Sequence, residues 1–217
     1  MNFTVIKLEF STPLHIGRGW GDMDKSEPIL HSDTLKSALF ASLIQLNPEW
    51  KGNAGRFFDG FNISSCFPFF KNELFLPKLL LNKIIKSNGI EDQKQIKTSN
   101  KIEFLSWEVF ENYINADKGI EISKNQLSKN NKFIFEKEYE KPFDFLKNDI
   151  QQRVKIKYDD NSVPFFVDRV FFSVGSGLFF LAQFKDENLK NEIYSALKLL
   201  GTLGLGTDRT VGNGFFE

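Results

Sequence analysis

Residues 163–217 read VPFFVDRVFFSVGSGLFFLAQFKDENLKNEIYSALKLLGTLGLGTDRTVGNGFFE. Two aromatic, β-branched runs, 163–173 and 178–184, flank Val174-Gly175-Ser176-Gly177, which predicts a hairpin. Asp186-Glu187-Asn188 then opens a helix, with acidic residues where its N-terminal dipole favours them. Leu189, Ile193, Ala196, Leu197 and Leu200 repeat at helical spacing, and Gly201 is expected to end the helix. A glycine loop over 204–214 leads into Phe215-Phe216-Glu217, the start of a further strand.

Working outward, residues 3–10 alternate in polarity and read as a first strand, closed by Pro13, Gly17, Gly19 and Gly21. Ser32-Asp33-Thr34 supplies helix-start residues ahead of Leu35, Ala38, Leu39, Leu43 and Leu46, and Asn47-Pro48 stops that helix. With residues 49–162 set aside, the order is strand, helix, strand, strand, helix, strand. That is the α+β, ferredoxin-like βαββαβ pattern, shared with the RNA-recognition fold. The expected organisation is a ferredoxin-like domain of residues 1–48 and 163–217 with a partly helical insertion over 49–162. Residues 82–101 are rich in Lys, Asn and Ser and read as exposed, and a helix is predicted near 106–116.

Composition limits the function. Hydrophobic residues at 41% and charged residues at 26% exclude a disordered tail. Lys plus Arg and Asp plus Glu both number 28, so no global basic excess exists, although a local basic groove remains compatible with that balance. Cys66 is alone, which excludes an intramolecular disulfide, and no Cys/His cluster is spaced for zinc. No apolar run has the length of a membrane span, and residues 1–7 read as a strand rather than a signal peptide. The expectation is a soluble cytoplasmic protein without cofactor or metal.

Twelve of the 25 Phe residues fall in adjacent pairs, such as Phe57-Phe58, Phe69-Phe70, Phe165-Phe166 and Phe179-Phe180. In a strand, neighbours face opposite sides, so each pair predicts a strand buried on both faces. Arginine is scarce: Arg18, Arg56, Arg153, Arg169 and Arg209 are the complete set. Either composition has drifted toward Lys or the planar, forked guanidinium is required where it occurs.

The glycine loop holds Gly204, Gly206, Gly212 and Gly214 beside Arg209. Glycine permits positive φ and close backbone approach, and exposed N–H groups beside an Arg suit phosphate oxygens. The loop follows a helix and precedes a strand, which excludes a dinucleotide fingerprint, and no Gly-Lys-Ser/Thr exists for a P-loop. A plain αβ connection is the alternative reading. The first loop, 15–21, offers His15, Gly17, Arg18 and Trp20, the vocabulary of single-stranded RNA binding. His15 and His31 are the available general bases, without an evident partner motif. Asp168-Arg169 and Asp208-Arg209 repeat one dipeptide, which by itself reads as surface ion pairing.

Residues 31–39 (His31-Ser32-Asp33-Thr34-Leu35-Lys36-Ser37-Ala38-Leu39), Cys66-Phe67-Pro68-Phe69 with Leu74-Phe75-Leu76-Pro77, Val167-Asp168-Arg169, and the 204–214 loop occur in an order that resembles the RAMP superfamily of CRISPR-associated proteins. The likeness is strongest to the Csm subunit that holds the 5′ handle of the guide RNA in type III-A effector complexes. It covers nearly the whole chain apart from about 82–150. The resemblance implies a non-catalytic RNA-binding subunit of antiviral defence. It would grip the crRNA 5′ handle, dock the large polymerase-like CRISPR subunit and adjoin a neighbouring RAMP backbone subunit. Carried over by position, the handle is met by His15, Gly17 and Arg18, by Ser32, Asp33 and Lys36, and by Gly204, Gly206, Arg209, Gly212 and Gly214. Arg153 and Arg169 are further candidates. Members of that family continue past the glycine loop, so the last strand here is expected to be cut short. A truncated chain, a second chain supplying the rest and a shorter RAMP all accord with that. Two other functions stay open: a metal-independent endoribonuclease of the same fold using His15 or His31, and a scaffold that binds protein alone.

Overall fold

The computed structural model describes residues 3–17, 23–89, 91–155 and 162–217. In chain order the elements are β1 (Thr4–Glu9), α1 (Ser32–Leu46), α2 (Ala54–Gly60), β2 (Phe61–Ile63), β3 (Phe67–Phe70), β4 (Glu73–Pro77), β5 (Ile84–Asn88), α3 (Asp92–Lys101), β6 (Phe104–Ser106), α4 (Trp107–Asn115), β7 (Gly119–Ser123), β8 (Phe133–Ile134), β9 (Leu146–Lys155), β10 (Val163–Phe172), β11 (Ser176–Phe184) and α5 (Glu187–Leu203). The architecture is mixed α+β, and the chain divides into two compact units, residues 1–66 with 146–217, and residues 67–145. The first unit is wider than the 1–48 and 163–217 expected from sequence, because Trp50, Phe57, Phe61 and Cys66 lie in its core.

In the first unit β11 is central. It pairs antiparallel with β1 from Thr4↔Ala182 to Glu9↔Gly177, and on its other edge with β2 from Ala182↔Ile63 to Phe184↔Phe61. The chain end returns along the far edge of β1. Phe216 bridges Phe10, and Glu9 and Glu217 exchange two backbone hydrogen bonds of 3.0 Å. The lateral order is therefore 215–217, β1, β11, β2.

Alternation places Ile6 and Leu8 of β1 and Leu178, Phe180 and Ala182 of β11 on one face. Over that face lie Leu35, Leu39 and Leu43 of α1 and Leu189, Ile193, Ala196, Leu197 and Leu200 of α5, in one continuous apolar core. Burial of that area is the main favourable term for the unit. α1 ends where predicted, at Asn47 before Pro48. Asp186 caps α5 through the Leu189 N–H at 2.7 Å.

Several expectations change. Residues 163–173 and 178–184 are consecutive strands joined by a turn at 173–176, but they do not form a hairpin. β10 pairs with β9 along its whole length, from Val163↔Lys155 to Phe172↔Leu146, while β11 pairs with β1 and β2. A turn signal fixes a local reversal. Pairing follows the edge that each strand's buried face can reach. The strand after α1 on this sheet is accordingly β2, three residues long, rather than 163–173.

Gly201 does not end α5. It lies inside the helix, where its bare Cα lets the backbone of Phe216 approach, with the Phe216 N–H on the Gly201 carbonyl at 3.2 Å. The helix stops at Gly204, which takes φ +82°. The Phe pairs divide as well. Phe69-Phe70 and Phe179-Phe180 are buried on both faces, whereas Phe57-Phe58 sits in α2 with Phe58 exposed, and Phe166 of β10 is exposed.

In the second unit, β3, β4 and β6 are antiparallel neighbours and β8 adds in parallel to β6. Phe75, Phe133, Phe135 and Phe145 form an aromatic cluster there, with Phe133 and Phe145 ring centroids 4.7 Å apart. A parallel pair, β5 and β7, covers a smaller core of Ile85, Val109, Tyr113 and Ile122.

Alanine inside a helix normally stabilises by about 1 kcal/mol relative to glycine. At Gly201 a Cβ meets the Phe216 carbonyl oxygen. Gly201→Ala is therefore expected to destabilise the protein by about 1–3 kcal/mol in urea titration, the range for overpacking. A raised urea midpoint would contradict this packing.

Candidate nucleic-acid interface

The first loop is built onto the free edge of β10. Leu14 and Val170 exchange backbone hydrogen bonds of 2.9 and 2.8 Å, and the Asp168 N–H donates to the Met23 carbonyl at 2.8 Å. His15 Nδ1 lies 2.6 Å from the Asp168 carbonyl oxygen, which requires the proton on Nδ1, and the residue is only 2% exposed. The Asp168 carboxylate receives the Ser26 N–H and the Asn148 side-chain amide, both at 2.8 Å. Ser26 Oγ in turn accepts the Ile16 N–H at 2.9 Å. The strand thus fixes both ends of the loop, 14–16 and 23–26.

The glycine loop closes on itself and on the first loop. The Leu205 N–H donates to the Gly214 carbonyl at 2.9 Å, the Gly214 N–H to Pro13 at 2.8 Å, and the Thr207 N–H to His15 at 3.3 Å. Gly206 has φ +88° and Gly214 φ +78°. A Cβ at Gly206 would collide with the His15 carbonyl oxygen, and one at Gly214 with the Leu205 backbone. Only glycine meets both demands, positive φ and backbone contact.

Arg169 is 3% exposed. Its Nε donates to Asp208 Oδ2 at 2.8 Å, a second guanidinium nitrogen donates to the same oxygen, and the third donates to Gln151 Oε1 at 2.7 Å. The repeated Asp-Arg dipeptides are therefore cross-linked: Arg169 of the first holds Asp208 of the second in a buried ion pair. Arg209 stays exposed at the surface of the loop.

The structure thus assembles His15, Gly17, Arg169, Gly204, Gly206, Arg209, Gly212 and Gly214 around one pair of loops. Arg18 lies outside the described residues. Arg153 is opposite Phe165 on β9, half-buried, on the ribbon face that carries Gln151 and Arg169.

Ser32, Asp33 and Lys36 take other partners. The Ser32 N–H donates to Ser65 Oγ at 3.3 Å, and Asp33 accepts the Thr34 N–H at 2.8 Å. Lys36 Nζ donates to the Phe58 and Phe61 carbonyls at 2.7 and 2.8 Å, 4.7 Å from the Phe61 ring. Burial lowers its pKa, against the opposing charge of Asp59. Its ammonium closes the C-terminal end of α2. Asp168, Asp208, Ser26, Asn148 and Gln151 were not among the predicted site residues. Only the two aspartates had a sequence signal, the Asp-Arg repeat.

His31 is exposed and 3.6 Å from Glu27. Burial drives the Cys66 thiol well above its ordinary pKa, which keeps it an inert core residue. Among the described residues no group of three or more His, Cys, Asp or Glu is arranged to hold a metal ion. No helix among them is long and apolar enough to cross a membrane.

A helix-backed sheet, with a glycine loop after its last helix packed on a loop after its first strand, places the chain in a defined class. Residues 7–217 match the RAMP superfamily, and the chain belongs to it. It is similar to the CRISPR system Cms protein Csm4 of Methanocaldococcus jannaschii, 23% identical over 250 residues, covering 100% of this chain and 65% of that protein. The chain spans about two thirds of the length of this curated relative. In fold it is similar to a chain of a Csm3-Csm4 subcomplex of a type III-A CRISPR-Cas interference complex, with TM-score 0.64 and 18% identity, covering 100% of this chain and 68% of that one. A Csm1-Csm4 cassette in complex with cA4 gives TM-score 0.60 and 20% identity, covering 93% of this chain and 66% of that one.

Gly206→Ala is expected to lower stability by about 1–3 kcal/mol, the range for a strained non-glycine φ. Thermal unfolding checks it, and an unchanged midpoint would show that the loops do not depend on this contact. Lys36→Met removes the donor from one exposed and one part-buried carbonyl and is expected to cost about 1 kcal/mol, read as a lowered urea midpoint.

Proposed function

We propose that the chain is a non-catalytic RNA-binding subunit of a type III CRISPR effector complex of the Csm kind, holding the 5′ repeat-derived handle of the crRNA. On this reading it sits between the large polymerase-like subunit and a neighbouring RAMP subunit, in the cytoplasm, and serves antiviral defence. The order 215–217, β1, β11, β2, with α1 and α5 on one face, is read as a ferredoxin-like βαββαβ domain. Its insertion then lies between the second and third strands. Likeness to Csm4 supports the assembly, since the similar solved chains come from Csm3-Csm4 and Csm1-Csm4 complexes.

The observation that carries the reading is the meeting of the 13–17 and 204–214 loops, with glycine backbone at their contact and Arg209 exposed beside it. The exposed Arg209 guanidinium suits a phosphate contact, and a balanced net charge accords with a patch rather than a basic surface. Burial of His15, with Nδ1 engaged internally, favours binding over base catalysis.

Titration of the purified chain with a guide carrying its 5′ repeat tag, and with one lacking it, tests this. Tag-dependent binding without cleavage is expected. Arg209→Ala should weaken it about tenfold and reduce the salt slope by about 1, the signature of one lost phosphate contact. Cleavage abolished by His15→Ala would replace the reading with the endoribonuclease. Complex assembly that survives Arg209→Ala, with guide RNA bound normally, would favour the protein-binding scaffold.

A further inference from the structure

We propose that Asp168 and Arg169 form a brace that sets the spacing of the two loops, as positioning residues rather than RNA contacts; this rests on the RNA-binding reading above. Neighbouring residues of a strand face opposite sides. At this one point of β10 the two side chains serve different loops. Asp168 takes the Ser26 N–H of the first loop at 2.8 Å, while its backbone N–H and carbonyl engage Met23 and His15. Arg169 takes Asp208 of the glycine loop, and Gln151 across the ribbon at 2.7 Å. The loops also touch directly, through Thr207 to His15 and Gly214 to Pro13. Strand and loops form a closed triangle of contacts.

A guanidinium that reads phosphate must present free N–H groups. Three of the five N–H groups of Arg169, one on each nitrogen, donate within the protein, and with the side chain 4% exposed the other two are shielded from solvent. A buried ion pair contributes little net stability, because desolvation offsets the attraction, yet its fork has one geometry. Directional positioning is what such a pair supplies. Lysine, a point charge on a flexible stem, cannot hold Asp208 and Gln151 in the same plane. The arrangement assigns RNA charge contact to Arg209 and loop geometry to Arg169.

The test uses the full chain as wild type, Arg169→Gln, Arg169→Lys, Asp208→Asn and the double variant Arg169→Gln/Asp208→Asn. Each is titrated with tagged and untagged guide over a range of salt, with the active fraction taken from stoichiometric titration. Each single variant should lower the tagged-over-untagged affinity ratio about tenfold, within the range of one strong pairwise coupling. The double variant should be no worse than either single, lysine should not rescue, and the salt slope should stay that of wild type. Should Arg169→Gln fail to fold, Asp208→Asn and Arg169→Lys carry the same comparison.

A salt slope reduced by about 1 in Arg169→Gln, with Asp208→Asn unaffected, would make Arg169 an RNA contact and overturn the brace. Equal losses on both guides, tracking a fallen active fraction, would reduce it to a stability element and also overturn it. Hydrogen exchange of the RNA-free variants provides an independent arm. The Leu205, Thr207 and Gly214 amides should exchange faster in Arg169→Gln and Asp208→Asn, and unchanged protection would overturn the brace. Wild type that binds both guides alike would instead defeat the functional reading, with the exchange result still deciding the brace.

Discussion

The contact between the 204–214 loop and the first loop is made by backbone against backbone. Gly206 faces the His15 carbonyl and Gly214 faces Leu205, each at positive φ and each without room for a methyl group. The geometry of both loops depends on that approach. α5 must end at Gly204 to deliver the loop, and Gly201 must admit Phe216 for the chain to return beside β1. The core beneath α1 and α5 holds those ends in place.

Arginine is used sparingly and unequally around this contact. Arg169 is buried on Asp208, where its fork is fixed, and Arg209 in the next position is left at the surface. Lys36 is drawn inward to close α2 rather than outward to solvent. A neutral chain can therefore present a local cationic point without a basic surface, since the Asp208 charge next to Arg209 is taken up by Arg169.

α1, α4, α5 and the first strand were legible in the sequence because their signals are local and periodic, whereas the short α2 carries no such signal. Leu35, Leu39 and Leu43 mark one face of α1, and Ile6 and Leu8 alternate in β1. The second strand of the sheet was not legible. Phe61-Asn62-Ile63 is too short to show alternation, and the longer, more aromatic 163–173 run carries the stronger strand signal although it pairs with β9. Glycine near a helix end reads as a terminator, whereas Gly201 is required inside α5 by the chain fifteen residues further on. At the site, the glycine loop and His15 stood out by composition. The partnership of Arg169 with Asp208 spans 39 residues and depends on tertiary folding, so the Asp-Arg repeat was visible but its pairing was not. Ser26, Asn148 and Gln151 are ordinary polar residues without any local signal.

Ultraviolet crosslinking of the chain to a 5′-tagged guide, with the crosslinked peptides mapped by mass spectrometry, tests most directly whether the two loops form one RNA surface. Crosslinks in both the 12–17 and 204–214 segments, lost together when the tag is removed, are the expected result. Crosslinks confined to residues 67–145, or found in only one of the two loops, would contradict it.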